Sequence, residues 1–346
     1  MEQVTYVGLD VHQNSITAVW GRKQEPTRWR RIQNTEEERK RLVQDLGTGG
    51  VWAVYEASGC GFGLHDELRE QGWKVSVVAP THLARSMKEQ KTKTDLRDAT
   101  KLQGLLMSHG ELQTPLTTVW VPPVKIREDR ELVRRRLKVA ENLSRVKTGI
   151  GSLLRMHGIQ KPEDLKTAWT QKHVAWVKGL SQHAEELAWT VRTALASQVR
   201  ELEFYRGEID ELDAQIEKLQ QEEGYATAAG KMREIPGVGR LTAMTFLVEL
   251  GDVKRFKNRR QLASYLGLTP NCYESGEASD RKGHISRMGP ARIRKVLNQA
   301  ALCLLRLDPT WKPWYDQLSR RRGTKRAIVA TMRRLGIAMW QKARTA

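Results

Sequence analysis

The dipeptide Pro122-Pro123 separates two stretches whose hydrophobic patterns cannot build the same kind of layer. Consecutive prolines remove two backbone donors and exclude a helix or central strand running through them. Before them, short runs rich in β-formers alternate with amphipathic segments; after them apolar residues recur with helical period. Val4 to Leu9 reads as a strand, the polar turn His12 to Ser15 follows, Ile16 to Trp20 returns beside it, and Thr27 to Ile32 is a third. Thr35, with Glu38 three residues on, predicts the N-cap of a helix whose Leu42, Val43 and Leu46 share a face and which the pair Gly49-Gly50 ends. A strand at Val51 to Tyr55, a helix over Leu64 to Gln71, a strand at Val75 to Ala79 and a helix from Asp95 to Ser108 complete a mixed α/β arrangement.

Beyond the prolines the chain turns basic. Residues 125–155 hold ten Lys/Arg against four Asp/Glu, and residues 312–346 hold ten against one. Between them, Leu195, Leu202, Ile209 and Ile216 fall at one heptad position and Tyr205, Leu212 and Leu219 at the other, which predicts an antiparallel or dimeric coiled-coil arm. The expected divisions are residues 1–122, an α/β domain; 123–230, a basic helical and coiled-coil linker or oligomerisation region; and 231–346, a mainly α domain. Trp169, Trp176 and Trp189 lie among helices, where core packing is the plainer expectation.

Charge narrows the function. The 59 Lys+Arg exceed the 40 Asp+Glu by 19, which suits a polyanion partner. No apolar run reaches the roughly 18 residues of a membrane span, and no secretory leader is visible, so a cytoplasmic protein without a membrane partner is expected. Cys60, Cys272 and Cys303 are far apart and form no Cys-x-x-Cys pair, which argues against a disulfide framework or a structural zinc site.

Four carboxylates in the first stretch could converge. Asp10 and Glu56 stand at strand ends, and Asp95 and Asp98 are three apart on the opening turn of a helix, hence on one face. Oxygen donors of this kind suit Mg²⁺ or Mn²⁺. Taken singly, each acid is as well explained by a turn or by the positive end of a helix. Lys91, Lys93 and Arg97 flank the last pair as a phosphate-facing surface would require. His12 and His284 have no partner at a metal-ligand spacing.

In the second stretch, Ile235-Pro-Gly237-Val-Gly239 fits a helix-hairpin-helix turn, in which Gly237 and Gly239 would let backbone N–H groups approach a nucleic-acid phosphate. Leu266 to Gly276, followed by Arg281, Lys282, His284 and Arg287, places hydroxyls in a cationic, glycine-containing loop. With no evident base, the residues by themselves favour a solvated loop whose serines make turn hydrogen bonds.

Tyr6-Val-Gly-Leu-Asp10, Tyr55-Glu56-Ala-Ser-Gly59 and Lys93-Thr-Asp95-Leu-Arg-Asp98-Ala99 resemble the DEDD transposases, insertion-sequence recombinases related to the Piv DNA invertases, and the resemblance runs over nearly the whole chain. It implies a ribonuclease-H-like (RuvC-like) N-terminal domain in which Asp10, Glu56, Asp95 and Asp98 bind Mg²⁺ (or Mn²⁺). Tyr273-Glu-Ser275-Gly276 matches the stretch whose serine becomes linked to DNA. Ser275 is thereby the expected nucleophile, with Ser279 and Ser286 as fallbacks and Arg281, Lys282 and Arg287 around the scissile phosphate. The resemblance further implies a composite site, a homo-oligomer (dimer or tetramer), donor and target DNA, a guiding bridge RNA, and a prokaryotic, nucleoid-associated setting. Two alternatives remain: a junction-resolving metal nuclease that uses water, and a non-catalytic nucleic-acid-binding assembly factor.

Overall fold

The computed structural model describes residues 3–80, 94–272 and 282–346, which fall into two compact units, Met1–Pro122 and Pro123–Ala346. The first is a mixed sheet with helices and the second is mostly helical.

In the first unit, β1 (Thr5–Val11), β2 (Ser15–Gly21), β3 (Arg28–Gln33), β4 (Val51–Glu56) and β5 (Lys74–Val78) form one sheet in the order β3-β2-β1-β4-β5. The first three strands are antiparallel; β4 and β5 run parallel to β1. Parallel pairing needs covered crossovers, and helices α1 (Glu36–Leu46) and α2 (Gly63–Glu70) lie within them. Thr35 caps α1 by accepting from the Glu38 N–H, as its sequence predicts. The helix ends at Leu46, with Gly47 at φ +80° as its C-cap, two residues before the glycine pair that the sequence suggested. Val7, Leu9, Val11, Ala53, Tyr55 and Val77 pack on one face against Leu42, Val43 and Leu68 of the two helices.

Helix α3 (Asp95–Leu112) covers the opposite face. Two glycines set its distance. A Cβ at Gly8 would lie 2.1 Å from the Ala99 carbonyl oxygen and 2.5 Å from the Gln103 nitrogen, and one at Gly110 would lie 2.4 Å from the Tyr6 hydroxyl. The Tyr6 hydroxyl donates to Glu111 at 2.8 Å, and burial with this carboxylate pushes its pKa up to about 12. Thus α3 runs antiparallel to β1, with Gly110 over Tyr6, Gln103 over Gly8 and its first turn at the Asp10 end.

In the second unit, α4 (Val124–Met156) and α6 (Trp189–Gln221) are 33-residue helices. Lys125 reaches Glu222, Arg136 grips Asp213 through two bonds of 2.8 Å, and Leu143 to Leu154 meet Leu195 to Leu202, so residue numbers rise along one helix as they fall along the other. The heptad stripe is therefore covered by an antiparallel helix of the same chain. Leu195, Leu202, Ile216 and Leu219 are buried; Tyr205, Ile209 and Leu212 are half-buried. Helix α5 (Gln171–His183) packs on the Leu154 end. Trp189 is not a core residue: it opens α6 with 71% of its surface exposed.

At the other end follow α7 (Glu223–Arg233), α8 (Arg240–Leu250), α9 (Arg259–Tyr265), the strand pair β6 (Pro270–Cys272) and β7 (Lys282–Ile285), then α10 (Ala291–Leu307), α11 (Trp311–Arg322) and α12 (Thr324–Arg344). Val133, Ile216 and Leu219 from the long helices share one apolar cluster with Met244, Phe246, Leu297, Leu335 and Met339, so packing joins residues 123–230 to residues 231–346. Helix α8 is apolar on every side and buried from Ala243 to Leu250. Its one buried charge, Glu249, accepts from Arg134 at 2.8 and 2.9 Å, while Arg130 donates to the carbonyls of Val248 and Glu249.

Candidate metal centre and nucleic-acid interface

Strand alternation decides which side chains meet. Tyr6, Gly8 and Asp10 project toward α3, and so do Val54 and Glu56, because successive side chains of a strand point to opposite faces. In the parallel register Leu9 pairs with Tyr55, which puts Asp10 and Glu56 side by side at the ends of neighbouring strands, about 5 Å apart along the backbone. Strand β1 runs one residue past Asp10, since Val11 pairs with Ile16 before the chain turns. His12 opens that turn, its N–H donating to the Ser15 carbonyl at 2.9 Å.

Asp10, His12 and Asp95 each offer one ligand atom, and these atoms lie within 4.8 Å of one another. The His12 Nε2 is 3.1 Å from an Asp10 oxygen and 3.5 Å from an Asp95 oxygen. Arg31 completes the group: Thr17 pairs with both Asp10 and Arg31, so Arg31 shares their row, and its guanidinium reaches Asp95 at 3.5 Å and the Ser15 hydroxyl at 3.2 Å. Thr94 caps α3 by accepting from the Arg97 N–H, which fixes the turn that carries Asp95 and Asp98.

The Asp10 carboxyl is pushed above its ordinary pKa, first by burial and further by the charges of Asp95 and Asp98, against the pull of His12. Carboxylates held together at this cost are relieved by a cation. Carboxylate oxygens suit hard divalent cations and an imidazole suits borderline ones, and neighbouring ligands of an octahedral shell stand about 3 Å apart, near the His12 separations. The residues present fit a divalent ion.

The four expected carboxylates are placed as follows. Asp10 and Asp95 belong to the close group, Asp98 is near enough for its charge to act on Asp10, and Glu56 stands on the adjacent strand end. Sequence reasoning set His12 aside for want of a partner at a metal-ligand spacing and did not reach Arg31. His12 joins the group from the start of the turn that follows β1; Arg31 needed the register of the sheet.

In the second unit, Ser275, Ser279 and Arg281 lie outside the described residues, as do Lys91 and Lys93 of the first. The segment expected to be an irregular polar loop carries strands at its two ends, with Pro270 pairing with Ile285 and Cys272 with Lys282, the first residue of β7. Its base is pinned: Arg294 donates to the carbonyls of Leu266 and Gly289, and a Cβ at Gly289 would fall 1.7 Å from the Tyr265 oxygen. The fallback Ser286 donates its N–H to the Thr269 carbonyl there. A cleft of about 1050 Å³ beside the strand pair is lined, among the described residues, by His284, Arg287, Arg322, Lys325, Arg326 and Arg333 with no carboxylate, and of these only His284 and Arg287 were singled out in the sequence.

The two glycines of the expected phosphate turn serve different ends. Gly237, at φ +84°, has its Cβ direction filled by α10, with the Leu304 nitrogen at 2.6 Å, so packing accounts for it. Gly239 is the N-cap of α8 and faces open space.

A mixed sheet with clustered carboxylates, in a chain whose helical unit carries cationic clefts, is the build of an enzyme acting on nucleic-acid phosphodiesters. Residues 7–158 match the DEDD IS110 family described as transposase, and residues 229–316 match the family described as Transposase IS116/IS110/IS902. A Sinorhizobium fredii protein described as a transposase, y4qE, is 31% identical over 86% of this chain and 70% of its own. The transposase of insertion sequence IS1533 from Leptospira borgpetersenii is 26% identical, covering 87% and 85%. A pilin gene-inverting protein of Moraxella lacunata is 24% identical, covering 96% and 93%. The chain belongs to the IS110/IS116 family of DEDD insertion-sequence transposases.

Proposed function

We propose that this transposase cleaves and rejoins DNA strands on a ribonuclease-H-like domain whose Asp10, Glu56, Asp95 and Asp98 hold Mg²⁺ or Mn²⁺, with Ser275 as the nucleophile. The observation that carries the reading is the meeting of Asp10 from β1 and Asp95 from α3, 85 positions apart in sequence, in one group of ligand atoms within 4.8 Å. A bound divalent ion there would lower the pKa of an attacking hydroxyl or stabilise the displaced oxygen.

The Ser275 hydroxyl oxygen bonds to the scissile phosphorus and gives up its proton, while the sugar oxygen of the cut strand leaves with the bonding pair and takes a proton. In rejoining, a hydroxyl of the receiving strand attacks the same phosphorus, and the serine oxygen leaves and is reprotonated. One phosphodiester replaces another, so no external energy source is required. Arg281, Lys282 and Arg287 would offset charge on the transferring phosphate.

The serine and the carboxylates would form a composite site across the subunits of a dimer or tetramer. Donor and target DNA would lie on the basic segments 125–155 and 312–346, with a bridge RNA guiding the choice of target; phosphate charge is common to both kinds of nucleic acid. The name of the Moraxella relative, a gene-inverting protein, fits a chain that rearranges DNA.

The test is incubation of the purified chain with end-labelled DNA carrying the element's ends and Mg²⁺, with and without the element's noncoding RNA. A denaturant-resistant protein–DNA adduct that disappears in Ser275→Ala supports the serine. Cleavage without an adduct that survives Ser275→Ala, yet fails in Asp95→Ala, would mean that water is the nucleophile. Adduct formation independent of RNA would remove the guide.

A further inference from the structure

At the Leu154 end of the long helices, away in sequence from both the carboxylates and the serine segment, lies a cleft of about 410 Å³. Trp169, His173 and Trp176 line it, with Lys147, Arg155 and Lys161 among the other lining residues and no carboxylate there among the described residues. The volume falls within the roughly 300–1,000 Å³ of ligand clefts.

The aromatic arrangement is specific. The His173 ring meets the Trp169 ring at 5.0 Å and the Trp176 ring at 5.3 Å, both edge-on, which leaves the two indoles half-buried rather than stacked away. His173 is 95% buried, and its Nδ1 has no hydrogen-bond partner among the described residues. Burial, with Lys161 nearby, holds its pKa below the ordinary value and so favours the neutral ring. Buried polar atoms are rarely left unpaired without a reason.

The backbone points the same way. Trp169 sits at φ +66°, a left-handed conformation that bulky residues seldom adopt and that clusters at binding sites. The Arg206 guanidinium holds it there by donating to the Trp169 carbonyl at 2.6 Å. Burial and the same Arg206 also depress the Lys147 ammonium below its usual range, a cost that an incoming anion would relieve.

We infer that this cleft takes one unpaired nucleotide of a single-stranded nucleic-acid segment, with its base against Trp169 and Trp176 and its flanking phosphates on Lys147, Arg155 and Lys161. Exposed aromatic faces with cations alongside are how proteins hold unstacked bases. A duplex would first have to flip a base out, so single strands and loops are favoured. The inference does not depend on the metal centre or on Ser275.

The test uses the full-length protein and probes of matched sequence: single-stranded RNA, single-stranded DNA and duplex DNA, each carrying one 5-iodouracil. Irradiation followed by peptide mass spectrometry is expected to find the cross-link on Trp169 or Trp176 with the single-stranded probes, and the RNA and DNA arms identify the source. In anisotropy titrations, Trp176→Leu should weaken single-strand binding about tenfold. Lys147→Gln combined with Lys161→Gln, which removes two cations without emptying the core, should weaken it severalfold and lower its salt dependence. Cross-links elsewhere, with unchanged affinity in the lysine pair, would overturn the inference. So would an equal loss of duplex and single-strand binding, which would make the region a general phosphate patch.

Discussion

The two units solve the placement of charged groups in opposite ways. In the first, hydrogen-bonded register does the positioning: Asp10 and Glu56 are neighbours because Leu9 pairs with Tyr55, and Asp95 arrives because α3 can lie flat on Gly8. In the second, long helices place charge by arginine–carboxylate pairing, as in Arg134 with Glu249 and Arg136 with Asp213, and leave other cations facing open clefts. A sheet thus fixes a few acids closely enough to share an ion, whereas helices spread cations over the lengths that a polynucleotide spans.

The sharpest way to break this contrast is Gly8→Val. Its side chain meets helix backbone 2.1 Å away, which cannot yield as a flexible side chain would. A loss of more than about 3 kcal/mol is expected, with strand cleavage lost as Asp95 moves off Asp10; a thermal melt and a cleavage assay check both. In the helical unit, Glu249→Ala strands the half-buried Arg134 and should cost about 2–3 kcal/mol, less than for a fully buried pair because Arg134 keeps partial access to water. Asp213→Ala, at a more exposed carboxylate, should cost about 1 kcal/mol, and a denaturant titration of both variants checks the two values.

Asp10→Asn should act in the reverse direction on stability. It removes a half-buried negative charge that faces Asp95 and Asp98, so the metal-free protein should melt about 1–3 °C higher, while the rise in melting temperature expected of the native chain on adding Mn²⁺ should be lost. Lys312→Ala, which loses an exposed pair with Asp316 and a long contact with the Tyr315 ring at 5.9 Å, should change stability by less than about 0.5 kcal/mol.

Much of the sheet was legible because β1, β2 and β4 are compact apolar runs bounded by turn residues, and Thr35 announced α1 through its spacing to Glu38. The acids were legible as strand-end and helix-turn residues. His12 and Arg31 were not, because their approach to Asp95 depends on which residue of β2 faces Asp10. The packing role of Gly237 was hidden for a related reason: the space beside it is filled by α10, remote in sequence. The heptads of α6 showed that a helix would cover them, while α4 looked only basic, so their antiparallel pairing emerged in three dimensions. No helix among the described residues is long and apolar enough to cross a membrane.

The central claim is that the Asp10–Asp95 group binds the ion on which strand cleavage depends. The most direct measurement compares the native chain with Asp95→Asn by Mn²⁺ titration, read by electron paramagnetic resonance, alongside DNA cleavage on the same preparations. The account predicts a bound Mn²⁺ in the native chain, and in a folded Asp95→Asn at least tenfold weaker binding together with loss of cleavage. A folded Asp95→Asn that binds Mn²⁺ and cleaves DNA like the native chain would contradict it.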